Sequence, residues 1–243
     1  MRSQKQLFPI LLPVLGAATA LLRLVLEKFC TDEKGLIPSG HPLKWLIWLV
    51  FGAAVIITVI FVRKQEGSAR YERNFSPSVV PAIGAIALAG GVFVSVMLNL
   101  TAFSGLQLAR NVAGLLCIPA LVYTGLWRWK GKQPFFLGYG LICLFFTIHT
   151  VSHYPQWSSQ PQMIHYIFTA MACLFLMLFS YHQTAFCVGM GKRQMQLATG
   201  LLAAFCCMAA PGGSGDGFLY LTAGLWAITN LCDLTPRPAE DGE

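Results

Sequence analysis

Residues 109–153 read ARNVAGLLCIPALVYTGLWRWKGKQPFFLGYGLICLFFTIHTVSH. Two apolar runs, 109–128 and 134–153, flank a connector that holds Lys130 and Lys132. A helix needs about 20 apolar residues to cross ~30 Å of hydrocarbon. Lipid offers the backbone no hydrogen-bond partners, so a crossing segment is a helix or a strand of a closed barrel. Neither run alternates apolar and polar residues as a barrel strand would. Each run therefore reads as a transmembrane helix, and the same pattern continues on both sides. Spans are predicted at 8–26, 43–62, 79–100, 109–128, 134–153, 163–187, 195–211 and 217–234. The predicted fold is all-α: a polytopic membrane helix bundle with eight transmembrane helices, forming a single integral membrane domain over residues 1–243.

The connectors carry the orientation. Twelve basic residues fall in the N-terminus, the second, fourth and sixth loops and the C-terminus: Arg2, Lys5, Arg63, Lys64, Arg70, Arg73, Arg128, Lys130, Lys132, Lys192, Arg193 and Arg237. Only Lys28, Lys34, Lys44 and Arg110 fall in the alternate loops, and Arg23 lies within the first span. The positive-inside rule then places both termini in the cytoplasm, in a membrane of plasma-membrane type. Trp45, Trp48, Trp127 and Trp129 sit at predicted span edges and Trp157 in the fifth loop, where indoles favour the headgroup region. The apolar stretch of the first span runs on to Leu26, longer than a secretory signal usually has, so a retained first helix is expected.

Composition agrees. The chain is 56% hydrophobic and 11% charged, too sparse in charge to cover a soluble fold of 243 residues. The net charge of +7 is spent on topology rather than on a basic face, so no nucleic-acid partner is expected; membrane lipids are. Eight cysteines without a CxxC, seven of them in or at the ends of spans, read as small buried hydrophobes. Gly84, Ala85, Ala87, Ala89, Gly90 and Gly91 form a small-residue cluster that allows close helix approach. Pro9, Pro13 and Pro119 predict local kinks.

Polar side chains gather at the predicted external ends. His149 and His153 are four residues apart and share a helix face, and His165 opens the sixth span. Three imidazoles at one depth form a candidate Zn or Cu site. His41 is a possible fourth member, but no Asp or Glu lies nearby in sequence to orient the rings. Arg23 and Glu27 form an i,i+4 pair, and Asn99, Arg110 and Asn111 mark the third loop. Arg110 is placed at a helix N-terminus, where it either snorkels or holds a phosphate or carboxylate. Residues 211–217 read as a tight external turn. Gly213-Ser214-Gly215-Asp216 matches the GxGD string of intramembrane aspartyl proteases, whose chemistry needs a second facing carboxylate that no span offers. Asp216 is accordingly assigned to turn composition and the bundle interior is expected to be neutral.

No catalytic set emerges, and an enzyme is the less favoured class. The leading expectation is a multi-pass protein that binds or moves a small apolar or lipid-like molecule through an externally facing pocket, with Arg23, Glu27, Asn99, Arg110 and Asn111 as ligand-binding residues. The alternatives are a metalloenzyme, hydrolase or oxidoreductase, using His149, His153 and His165, and a non-catalytic partner subunit or sensor.

Overall fold

Each of the eight apolar runs corresponds to one helix of the computed structural model, with ends that differ by a few residues. The structure describes residues 2–32, 36–38, 40–65, 69–100, 105–211, 216–232 and 234, with the side chains of 2–9 and of 73 excepted. Lys34, Arg237 and residues 212–215 of the expected turn fall outside the described residues, as do the side chains of Arg2, Lys5, Pro9 and Arg73.

The helices in order are α1 (Arg2–Phe29), α2 (Pro42–Arg63), the single turn α3 (Tyr71–Asn74), α4 (Val80–Leu98), α5 (Gly105–Trp129), α6 (Phe136–Ser158), α7 (Ile167–Cys187), α8 (Arg193–Ala209) and α9 (Gly217–Cys232). A 3-10 turn, Met163–His165, precedes α7. Local chemistry marks several boundaries. His41 caps α2, its Nδ1 accepting the Leu43 N–H at 3.3 Å, with Pro42 in the first helical position. Gly131 and Gly189 take the left-handed conformation after α5 and α7. Each closes a Schellman pair: Lys132 N–H to Trp127 O with Gly131 N–H to Arg128 O, and Met190 N–H to Ala185 O with Gly189 N–H to Phe186 O.

Six helices among the described residues are long and apolar enough to cross a membrane: the Ile10–Phe29 part of α1, then α2, α4, α5, α6 and α7. The last two expected spans correspond to α8 and α9, of 17 and 16 residues. At about 1.5 Å per residue these fall short of the ~30 Å hydrocarbon thickness. Both are largely buried, although α9 keeps an exposed face at Phe218, Leu221 and Leu225. Leu201, Phe205 and Cys206 of α8 and Tyr220, Ala223 and Ala227 of α9 are fully buried. Around them α4, α5, α6 and α7 pack in sequence order; α4 closes on α9 and α7 on α8, while α1 and α2 lie against α8. The outer surface is apolar, as Leu49, Ile56 and Ile60 on α2 illustrate.

The small-residue cluster does what its composition predicts at four of its six positions. Gly84, Ala85, Ala89 and Gly91 are buried. A Cβ on Gly84 would run into Thr229 Oγ1 and one on Gly91 into Thr222 Oγ1, so α9 rests directly on the α4 backbone. Gly90 faces open space. The α5 helix continues through Pro119.

The interior is not neutral. Arg23, Arg110 and Arg128 are 1%, 1% and 3% exposed. Arg128 donates to Asn230 Oδ1, and its guanidinium lies 4.5 Å over the Phe75 ring. Phe75 pairs with Leu234 in an isolated antiparallel bridge that ties the second loop to the chain end. Arg23 and Arg110 lie at the opposite end of the bundle, where the site forms.

Candidate functional site

The α6 helix runs five residues past its expected limit, through Pro155 to Ser158. The extra turn puts Trp157 in line with His149 and His153, each one turn from the next. Ring centroids are 4.3 Å apart for His149–His153 and 5.7 Å for His153–Trp157. Tyr166 continues the series, parallel to Trp157 at 6.5 Å.

Arg110 organises the buried part. It lies in the second turn of α5, because the helix starts at Gly105 rather than beside it. The expectation of a helix-N-terminal or snorkelling arginine is thereby corrected: its side chain points inward and is enclosed. Its Nε donates to His149 Nδ1 at 2.9 Å, and its Nη2 donates to Ser95 Oγ at 2.5 Å and to Asp216 Oδ2 at 3.0 Å. Since Arg only donates, His149 Nδ1 is an acceptor and the ring proton sits on Nε2. That N–H meets Tyr220 Oη at 3.0 Å, and Tyr220 Oη lies 3.3 Å from Cys173 Sγ. One tautomer thus satisfies a chain from α5 through α6 and α9 to α7.

Asp216 is the residue that sequence reasoning missed. Its turn position is as expected, but it is no mere turn residue. Its Oδ1 accepts from Ser95 at 2.7 Å, and its Oδ2 lies 3.2 Å from His153 Nε2. It is the carboxylate that appeared to be lacking beside the histidines, brought there from the start of α9. His153 Nδ1 in turn faces the His149 carbonyl at 2.9 Å, so both of its nitrogens meet acceptors. Burial alone would raise the Asp216 carboxyl; the His153 contact, the Arg110 charge and the Ser95 hydrogen bond outweigh it and hold the group below the usual carboxylate range.

A second set mirrors the first. Arg23 Nη2 lies 3.5 Å from Glu27 Oε1, the anticipated i,i+4 pair, and Glu27 Oε1 lies 3.6 Å from His165 Nδ1. Arg23 also donates to Ala209 O at 2.9 Å and to His165 O at 3.1 Å, fastening α1 to α8 and to the turn before α7. Each set thus has a buried arginine behind a carboxylate and an imidazole in front of it.

Between the two sets lies a cleft of about 480 Å³. Glu27, His153, His165 and Asp216 line it with Asn99, and Trp157 and Tyr166 form an aromatic part of the wall. Arg23, Arg110, Asn111 and His149 are outside the lining and support it from behind. Asn111 Nδ2 donates to Asn99 O at 3.1 Å. The three histidines do not form one group: His149, His153 and Asp216 present ligand atoms within 4.8 Å of one another, whereas His165 faces Glu27. His41 serves as a helix cap.

The His149–His153–Asp216 group has the residue types of a Zn or Cu site. Arg110 already engages one ligand atom of each of two members, Asp216 Oδ2 and His149 Nδ1. A divalent ion using those two atoms would have to displace the guanidinium. As the group stands, its internal cation is the Arg110 guanidinium. Comparison with protein-family models, with curated proteins and with solved structures gave no match.

Proposed function

We propose that this multi-pass, membrane-embedded helical protein crosses the bilayer eight times with both termini in the cytoplasm, and binds or moves a small molecule through the cleft at its external end. The cleft carries the reading: about 480 Å³, within the size range of small-molecule sites, walled by two carboxylate–imidazole pairs and an aromatic plate. Because Arg110 and Asn111 are walled off, the groups that meet a ligand directly are His153, His165, Glu27 and Asn99 rather than the arginine. The wall is mostly polar, so it accommodates the polar head of an amphipathic molecule, with the apolar remainder left to the surrounding lipid. Native mass spectrometry of protein purified from its own membranes tests this. A bound molecule retained by the wild type and lost from His153→Ala is the expected result. Adduct-free wild-type protein, or equal retention by the variant, counts against the proposal.

A second reading rests on the His149–His153–Asp216 convergence: a metal-dependent membrane enzyme. Elemental analysis of the same preparation decides it. Stoichiometric Zn or Cu that disappears in His153→Ala favours the enzyme; the Arg110 geometry leads us to expect no such stoichiometry.

A further inference from the structure

Thr169 breaks a rule that the other threonines of the bundle follow. Helical threonine hydroxyls normally return to a carbonyl three or four residues back. Thr19, Thr58, Thr147, Thr150, Thr184 and Thr199 each donate to the carbonyl four residues back, and Thr124 and Thr229 to the one three back. The Thr169 hydroxyl is buried and has no hydrogen-bond partner, although the residue lines the cleft. The residue is 2% exposed. The carbonyl it would use belongs to His165, and that carbonyl accepts from Arg23 Nη2 at 3.1 Å.

Thr169 also lies in the first turn of α7. No side chain caps this helix, and the N–H groups of Ile167, Phe168 and Thr169 have no partner among the described residues. Such a terminus carries a partial positive charge and free donors. Two more donors nearby are buried without partners, Arg23 Nε and Arg110 Nη1. Asn111 Oδ1, an acceptor outside the cleft lining, is also buried without a partner, and the donors named here outnumber it. The two carboxylates do not offset that excess, since Glu27 is met by Arg23 and His165, and Asp216 by Arg110 and His153.

We infer that the cleft takes an oxyanion, specifically a phosphate group, at the N-terminus of α7, with the Thr169 hydroxyl as a hydrogen-bond donor and His165 beside it. The inference rests on the cleft being the ligand site and names the chemistry of the ligand's head. Backbone N–H groups at a helix start, a hydroxyl and an imidazole together suit phosphate oxygens. Free phosphate and a phospholipid headgroup share that chemistry.

Trp157, in the cleft wall, supplies the readout as the part of the tryptophan emission that Trp157→Phe removes. The probes are inorganic phosphate, glycerol phosphate, choline, and nanodiscs of phosphatidylglycerol against nanodiscs of an uncharged lipid. A saturable response to the two free phosphates assigns a soluble ligand; a response confined to phosphatidylglycerol assigns a lipid headgroup. In either arm Thr169→Val weakens binding about tenfold or more, the loss of one hydrogen bond to a charged group. Thr169→Ser restores it, and Thr184→Val, which touches no part of the cleft, leaves it unchanged. Equal binding by wild type and Thr169→Val, or a response to choline alone, overturns the phosphate assignment. Silence toward every probe while a native molecule is still retained in mass spectrometry overturns the assignment and leaves the cleft reading standing. Silence together with adduct-free protein removes both.

Discussion

Arg110 reaches four helices with one guanidinium. It holds Ser95 of α4, His149 of α6 and, through Asp216, the start of α9, while itself belonging to α5. The pair it forms with Asp216 is almost fully enclosed, with side chains 1% and 10% exposed. Breaking such a pair from one side leaves a charge without its counter-ion and costs about 3–5 kcal/mol. Asp216→Asn is therefore expected to lower the unfolding free energy in detergent by an amount of that order. A loss below about 1 kcal/mol, the size of an exposed pair, would show that the network is solvated. The carboxyl also sets an acid limb. Its value is lowered on folding, so its stabilising contribution is complete above the unfolded value near ~4 and is lost as pH falls through the lower folded value. Thermal stability measured against pH should lose this contribution only at strongly acid pH, and Asp216→Asn should remove that part of the decline. None of this was legible from residues 211–217, because a carboxylate in a glycine-rich turn looks the same whether it faces water or a guanidinium supplied from 106 residues away.

Among the elements, α4 and α9 are in close contact through the α4 backbone. The pairing of Gly84 with Thr229 and of Gly91 with Thr222 matches seven-residue steps on both helices, which keeps one face of each in register. Gly91→Ala should force the helices apart or turn the Thr222 side chain, costing about 1–3 kcal/mol by overpacking. Gly90→Ala, one residue away and facing open space, should be close to neutral, and the contrast between the two melting temperatures checks the packing. The glycines were legible as a packing face, but their partner was not, since no periodicity names the helix on the far side. The extension of α6 was missed for a different reason. Pro155 suggests an end, yet the helix passes through it, and only that extra turn carries Trp157 into the cleft wall.

At the scale of the whole molecule, the bundle has two polar ends of different character. One holds the cleft. The other is closed by Phe75, Leu234 and Arg128, with Arg193 Nη1 donating to Asn74 Oδ1 at 3.1 Å. The proposed eight crossings, with cationic connectors inside, make a clear forecast. Cysteine-labelling reporters at Met1 and after Leu234 should both be reached only from the cytoplasmic side, and one at Ser159 only from outside. Labelling of the two ends from opposite sides would require an odd number of crossings, and labelling of Ser159 from inside would move the cleft to the cytoplasmic face. The short α8 and α9 are the elements to watch, because a helix of 16 or 17 residues is not matched to lipid thickness.

Hydropathy and loop charge by themselves determined that this chain is a set of helices built for lipid, because a bilayer imposes segment length and connector charge locally, residue by residue. They also placed His149, His153, Arg23 and Glu27 at one end, since helical rise converts sequence position into depth. Only the tertiary structure decided which of them meet. It paired His153 with Asp216 and His165 with Glu27, set Arg110 behind the wall, and left the buried Thr169 hydroxyl without a hydrogen-bond partner. Helix azimuth and neighbour order settle those meetings, and both follow from packing among all the helices rather than from any one stretch of sequence.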